Sequence, residues 1–308
     1  MRYYLPLLVL VLVFFGHIFA EDNPAKDNKP DRAEQSGGSL SPTALSAVTP
    51  TAETEILTLS AGERVIFNII RDDKGVVKDK RIDRIEVDGV LANPSWPLEF
   101  YACAENSGKE HETLVIMFCK PQNLHLGLIL MGLKEEPDEQ SLQAFGDPKL
   151  PGGDIVQVFI AWQDKDNKPV IYAAEDLIIN NITKKQMPRI GWAFTGSKFV
   201  DDIDYDTGRP TGQKIYQANY SKTVMATWHD STAILNDPTS GGHYSPYTEI
   251  LPERGTRVVV TFKVPDEKEL VQLRKNLEEE MKLRKQLEEE YKKKQEEEKS
   301  KSQVPNPK

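Results

Sequence analysis

Apolar positions change their rhythm several times along the chain, and each change marks an element. Glu63 to Arg71 (ERVIFNIIR) and the alternating stretch Arg81 to Val90, with Ile82, Ile85 and Val87 as its apolar members, predict strands flanking a turn at Asp72–Gly75. The densest apolar region follows, from Leu98 to Leu133 (LEFYACAENSGKEHETLVIMFCKPQNLHLGLILMGL). Its two apolar runs, Leu98–Ala102 and Thr113–Cys119, suit a hairpin across a polar, glycine-containing loop. Pairing Leu98 with Phe118, Phe100 with Ile116 and Ala102 with Leu114 makes one face wholly apolar, leaving Tyr101 opposite Val115 and Cys103 opposite Thr113. Pro121 to Leu133 then reads as a helix with proline in its first turn and Gly132 at its end. It is apolar nearly all round, which predicts burial against the sheet.

Further on, Ile155–Gln163 and Pro169–Ala174 suit a hairpin around a DKDNK turn. Ile190–Thr195, Lys214–Tyr220, Thr223–Trp228 and Arg257–Val264 add more strand candidates. The connections are short and no series of crossover helices is visible, so the pattern predicts a β-rich α+β domain over 54–265, mainly antiparallel, with one buried central helix.

Both ends break the pattern. Arg2, the apolar run Leu5–Phe15 and Ala20 before Glu21 form a signal peptide over Met1–Ala20, or alternatively an uncleaved N-terminal anchor. Either way the body of the chain is expected outside the cytoplasm, in the periplasm or extracellular space. Residues 21–53 are rich in Asp, Lys, Pro, Ser and Thr and carry too little apolar surface to fold, which predicts a disordered linker. At the other end LRKNLEEEMK (Leu273–Lys282) recurs as LRKQLEEEYK (Leu283–Lys292). Pairs such as Glu278 with Lys282 and Glu288 with Lys292 support a helix over 266–299 at ~0.3–0.5 kcal/mol each. Its stripe, Leu270, Leu273, Leu277, Met281, Leu287 and Tyr291, fits strict heptads only if Glu280 and Arg284 enter the seam. A long, mostly solvated helix with weak self-association is therefore expected, followed by a disordered tail over 300–308.

Charge narrows the partners. The net charge is −9 and there is no basic stripe, which argues against nucleic acid because phosphate contacts need clustered Lys and Arg. The partner expected is an envelope protein or a small ligand, with a membrane engaged only through an uncleaved leader.

Candidate chemistry gathers in the dense region. In the hairpin register Cys103 and Cys119 sit six residues out of step, roughly 20 Å apart at ~3.3 Å per residue, beyond the ~7 Å a disulfide tolerates. An exported chain with two cysteines would ordinarily pair them, so the register and the compartment pull in opposite directions. The same register puts His111 diagonal to Cys103, beside Lys109, Glu110 and Glu112. Cys103, His111 and Glu112 could make an activated nucleophile, since nearby positive charge favours a thiolate. Cys103, His111 and His125, with Glu112, could instead offer a metal N, S and O ligands, without any recognised ligand spacing. The plainer reading is a buried cysteine acting as a small hydrophobe and a solvated GKEHE loop capped on its own backbone. Asp202, Asp204 and Asp206 before Gly208 resemble an oxygen-rich calcium loop, but the glycine sits one place late and no Glu follows at the required spacing. A solvated hairpin tip suits them better. No cofactor is expected, and a metal ion has no specific support.

LEFYAC, GKEHE, LHLGLILMGLK, AAEDLI, WAFTGSKF, IYQANY and ILPERGTRVVV, in this order, resemble the YdjY-like domain of exported bacterial proteins over Arg81–Val264. The resemblance implies a shared fold and no established activity. Some relatives bear ferredoxin-type cysteine segments; two cysteines are too few for such a cluster. The sequence thus points to a non-catalytic binding or structural envelope protein, the alternative being a thiol- or metal-dependent enzyme centred on Cys103 and His111.

Overall fold

The computed structural model describes residues 54–60, 62–92, 97–137 and 149–302. The leader and linker expected over 1–53 lie outside the described residues, as does the tail from 303 onward. The helix expected to end at residue 299 runs on to Ser302. No described helix is long and apolar enough to cross a membrane.

One long strand organises the sheet. β3 (Val77–Leu91) pairs along one edge with β15 (Arg257–Lys263). Its other edge is divided: up to Val87 it pairs with β2 (Glu63–Arg71), and from Gly89 to Leu91 with β5 (Thr113–Met117). Gly89 permits that second approach, because a Cβ there would lie 2.6 Å from the Ile116 carbonyl oxygen. From β15 the sheet continues through β6 (Ile155–Gln163), β9 (Trp192–Phe194), β13 (Leu235–Asn236), β12 (Thr223–Ala226) and β4 (Phe100–Ala104) to β5, which returns it to β3. The result is a closed, mixed eight-stranded barrel. β1 (Thr54–Ser60) and β2 extend it as a hairpin beside β3, and β7 (Pro169–Ala173) extends it beside β6.

Alternation explains most of this. In β6, Val156, Val158 and Ile160 are fully buried while Ile155, Gln157 and Phe159 between them are only half-buried. The interior is filled by large side chains, among them Tyr101, Trp192, Phe194, Tyr244 and Phe262. Smaller elements decorate the rim: β8 (Ile178–Asn180) with β14 (Tyr244–Pro246), and a projecting hairpin of β10 (Phe199–Ile203) and β11 (Pro210–Tyr216) followed by the short helix α2 (Gln217–Ser221).

Two expectations are corrected here. The runs expected to form an antiparallel hairpin are β4 and β5, and they run parallel, Phe100 facing Thr113, Ala102 facing Val115 and Cys103 facing Ile116. The polar loop doubles back along β4: Glu99 donates its N–H to Glu112 O at 3.2 Å and Glu105 donates to Met117 O at 3.1 Å. Alternation fixes which side chains share a face but is blind to strand direction, and each run finds its second neighbour elsewhere, β12 for β4 and β3 for β5. A second parallel pair joins β12 and β13. The expected buried helix, α1 (Pro121–Leu130), is buried on one face only: Leu124, Gly127 and Leu128 are buried against the core, but Leu126 and Leu130 are 57% and 64% exposed. Its N-terminus is held by the buried Glu63 carboxylate, which accepts Lys120 N–H at 2.9 Å and Asn123 Nδ2–H at 3.0 Å.

Buried charge holds β2 to β3. Glu86 is fully buried between Arg64, 3.4 Å from its Oε2, and Arg84, 2.9 Å from its Oε1. Arg64 also makes a two-pronged bond to Asp88 at 2.9 and 2.6 Å, and Arg84 reaches Asp83 at 2.6 Å. Removing the central anion would leave two guanidinium groups facing each other in a desolvated site. Glu86→Ala should therefore cost about 3–5 kcal/mol, read as a lower urea midpoint at unchanged slope.

Candidate functional site

The loop between β4 and β5 lies over the outer side of β4. Cys103 is fully buried beneath it, in a small cluster with Phe100, Ala226, Ala233 and Trp228. Lys109 closes the cluster: its ammonium donates to Thr223 Oγ1 at 2.7 Å and sits 4.3 Å over the Phe100 ring. The Thr113 hydroxyl lies 2.7 Å from Lys109 O and 3.4 Å from the Cys103 sulfur. Burial outweighs both the Thr113 hydrogen bond and the lysine charge, pushing the Cys103 thiol up to about 11. Almost no thiolate is present at neutral pH. His111 faces solvent, its side chain 71% exposed and 3.7 Å from Glu112. Glu110 caps the loop's own backbone, accepting from Ser107 and Gly108 N–H at 3.1 and 3.3 Å. Both cysteines are free; burial also raises the Cys119 thiol.

His125 lies elsewhere, on α1, in a constellation of its own. Its Nδ1 is 2.7 Å from the Tyr216 hydroxyl and its Nε2 3.1 Å from Glu135 Oε2, while the Tyr216 hydroxyl is also 2.9 Å from Gly196 O. Phe194 packs edge-on against the imidazole, with ring centroids 5.3 Å apart. Burial lowers the His125 pKa, with Glu135 pulling it back up. The Tyr216 hydroxyl donates to Gly196 O, so its oxygen is left to accept from Nδ1–H, and a ring protonated on both nitrogens would donate to Tyr216 and Glu135 together. Three of the segments behind the sequence resemblance, LHLGLILMGLK, WAFTGSKF and IYQANY, meet at this point.

The remaining candidates do not assemble. Asp204 accepts Thr207 N–H and Oγ1–H at 2.7 and 2.8 Å, bonds that lower its pKa, and Asp202 accepts the Thr211 hydroxyl at 3.0 Å. They and the exposed Asp206 belong to the tip of the β10–β11 hairpin. Among the described residues no three His, Cys, Asp or Glu side chains converge on a point where a metal could sit, so Cys103, His111 and His125 do not form a ligand set.

The site that sequence reasoning missed lies where the C-terminal helix, α3 (Glu267–Ser302), meets the barrel rim. The helix opens on a reciprocal cap, Asp266 and Glu269 each accepting the other's N–H at 2.8 Å. Leu273 is buried and Leu277 packs on the core. Asn276 donates to Arg189 O at 2.7 Å. Arg284 closes the dock, bonding Glu280 at 2.7 Å and the Tyr244 hydroxyl at 2.8 Å, with its charge opposing the burial that raises the Asp237 pKa. A Cβ at Gly241 would overlap the guanidinium, so only glycine leaves it room. Between helix and rim runs a cleft of about 300 Å³. Leu150, Pro151, Ile155 and Ala193 line it from the barrel, and Leu277, Met281 and Arg274 from the helix. The visible signal was the heptad misfit: Glu280 and Arg284, which spoil a self-pairing seam, are the residues that grip the domain.

The loop Trp228–Pro238, whose Pro238 also lines the cleft, is riveted by polar groups. Asn236 accepts Asp230 N–H at 2.8 Å and donates to Thr195 Oγ1 at 2.6 Å, and the buried His229 lies 2.9 Å from Lys149 O and 3.4 Å from Glu136. On the turn after β7 Glu175 is buried, accepts Gly191 N–H at 2.8 Å, and is pushed up to about 7 by burial. Tyr101 and Trp192 pack edge to face nearby, with centroids 5.1 Å apart.

A mixed barrel with a helix docked across its rim is the class of protein this geometry defines. The chain belongs to the YdjY domain family, which matches residues 77–263, from β3 to β15. No curated protein and no solved structure matches it. β1, β2 and α3 fall outside the matched span, so the helical wall of the cleft is an addition to the domain.

Two outcomes follow. Glu175 has a folded pKa above its unfolded value of 4.5, so its contribution is full below pH 4.5 and lost as pH rises through about 7. Glu175→Gln should therefore flatten the decline in melting temperature between pH 5 and 8, measured by calorimetry. Arg284→Ala should cost about 1–3 kcal/mol and speed hydrogen exchange in the first turns of α3 while leaving β6 and β15 protected.

Proposed function

We propose that the protein is an exported, non-catalytic envelope protein whose barrel serves as a binding module, with the cleft under α3 as its site. The observation that carries this reading is the contrast between two places. The chemistry-bearing thiol is sealed beneath Lys109 and kept protonated, with His111 turned out to solvent. The cleft, by contrast, is open, apolar and of ligand size. Docking explains why a charged helix is appended to the domain: its buried stripe completes a wall that the barrel rim lacks. Export rests on the Met1–Ala20 segment, and the unknown partner is an envelope component or small molecule small enough for the cleft.

Thiol titration of the mature chain, native and then denatured, with metal content read on the same sample, tests the non-catalytic half. Two slow, metal-free thiols should appear only on unfolding. A thiol reacting fast near neutral pH, or stoichiometric metal lost in Cys103→Ser, would replace this reading with the thiol- or metal-dependent enzyme.

A further inference from the structure

Taking the cleft as the binding site, we infer that its ligand is a single-chain anionic amphiphile, an acyl carboxylate whose tail lies along the apolar floor and whose head meets Arg274. Composition of the lining carries the argument. Leu150, Ile155, Leu277 and Met281 offer no hydrogen-bonding groups, so a sugar or other polyhydroxylated ligand would lose its water bonds without replacement. Among the described residues Arg274 is the one charged side chain in the lining, and it is exposed. No described residue pairs with it, whereas Arg284, three turns along the same helix, is fully engaged by Glu280 and Tyr244. A single guanidinium at the mouth of an apolar trough complements one carboxylate. It does not complement a polyanion, which would need several cations and would face a chain of net charge −9.

Size adds a limit. A volume of about 300 Å³ is at the bottom of the range of ligand pockets, about 300–1,000 Å³, which suits one unbranched tail rather than a two-chain lipid. The walls come from both sides of the family boundary, Ile155 and Ala193 from the barrel and Arg274 and Met281 from α3. The carboxylate preference therefore resides in the appended helix.

The test is calorimetric titration of the mature chain with sodium decanoate below its micelle concentration, and with 1-decanol as the uncharged probe. Decanoate should bind at one site per chain and more tightly than decanol. Arg274→Gln should weaken decanoate by about tenfold and leave decanol unchanged. Met281→Trp, which fills the cleft from the half-exposed side of the helix, should abolish both; Met281→Gln, which only makes the trough polar, covers the case in which the tryptophan variant misfolds. Equal binding of the two probes, indifferent to Arg274, would overturn the anionic class while the binding-module reading survived. Binding of neither would remove both. Decanoate binding untouched by either Met281 change would place the amphiphile elsewhere on the protein and overturn the inference.

Discussion

The barrel closes because β3 gives one of its edges to two different partners. Up to Val87 that edge belongs to β2, and beyond Gly89 it belongs to β5. A strand so divided must be long, and it must contain a residue that lets the second partner come close without a side chain in the way, which is the role of Gly89. With β5 fixed against β3, β4 completes the ring alongside it in parallel. The short connection between them then has to travel back along β4. Everything unusual about the GKEHE segment follows from that return path: Lys109 is laid over Phe100, Thr113 is drawn to the Lys109 carbonyl, and Cys103 disappears underneath.

Closure also disposes of the polar groups. Much of the barrel is covered: α1 packs over Ile85, on the face that carries Phe262, the Trp228–Pro238 loop lies over β4 and β12, and α3 meets the rim. Charges caught under such covers survive only with partners, as Glu86 does between two arginines and Glu63 at the start of α1. Glu175 takes the other route, meeting burial with a proton.

What the sequence disclosed follows the same physics. β2 and β6 could be bounded from it because each is a run rich in β-branched and aromatic residues that ends at turn-forming residues. β13 and β14, two and three residues long, have no room to show a period. The direction of β4 against β5 was illegible because apolar alternation reads the same from either end. Helix α1 looked buried because leucine dominates it, yet Leu126, Ile129 and Leu130 are left outside, an arrangement composition alone cannot foresee. Of the candidate residues, Cys103 and His111 were drawn together by a register that does not occur. His125 was visible as a helical histidine, but its partners Glu135 and Tyr216 are supplied by tertiary folding. Glu175 was hidden by its type, since carboxylates are seldom enclosed.

The helix docked at the rim gives the molecule a preferred direction of mechanical resistance. Its 36 residues form a rod of about 54 Å. A pull on the far end is met first by the Arg284 grip and then by Leu273, before any tension reaches the sheet. What it reaches there is β15, three residues upstream, which is hydrogen-bonded on both edges to β3 and β6. Those ladders would be loaded together in shear instead of opening one rung at a time. The same strand that finishes the barrel thus anchors the shaft, and the chain can bear load from its C-terminal side without surrendering its fold.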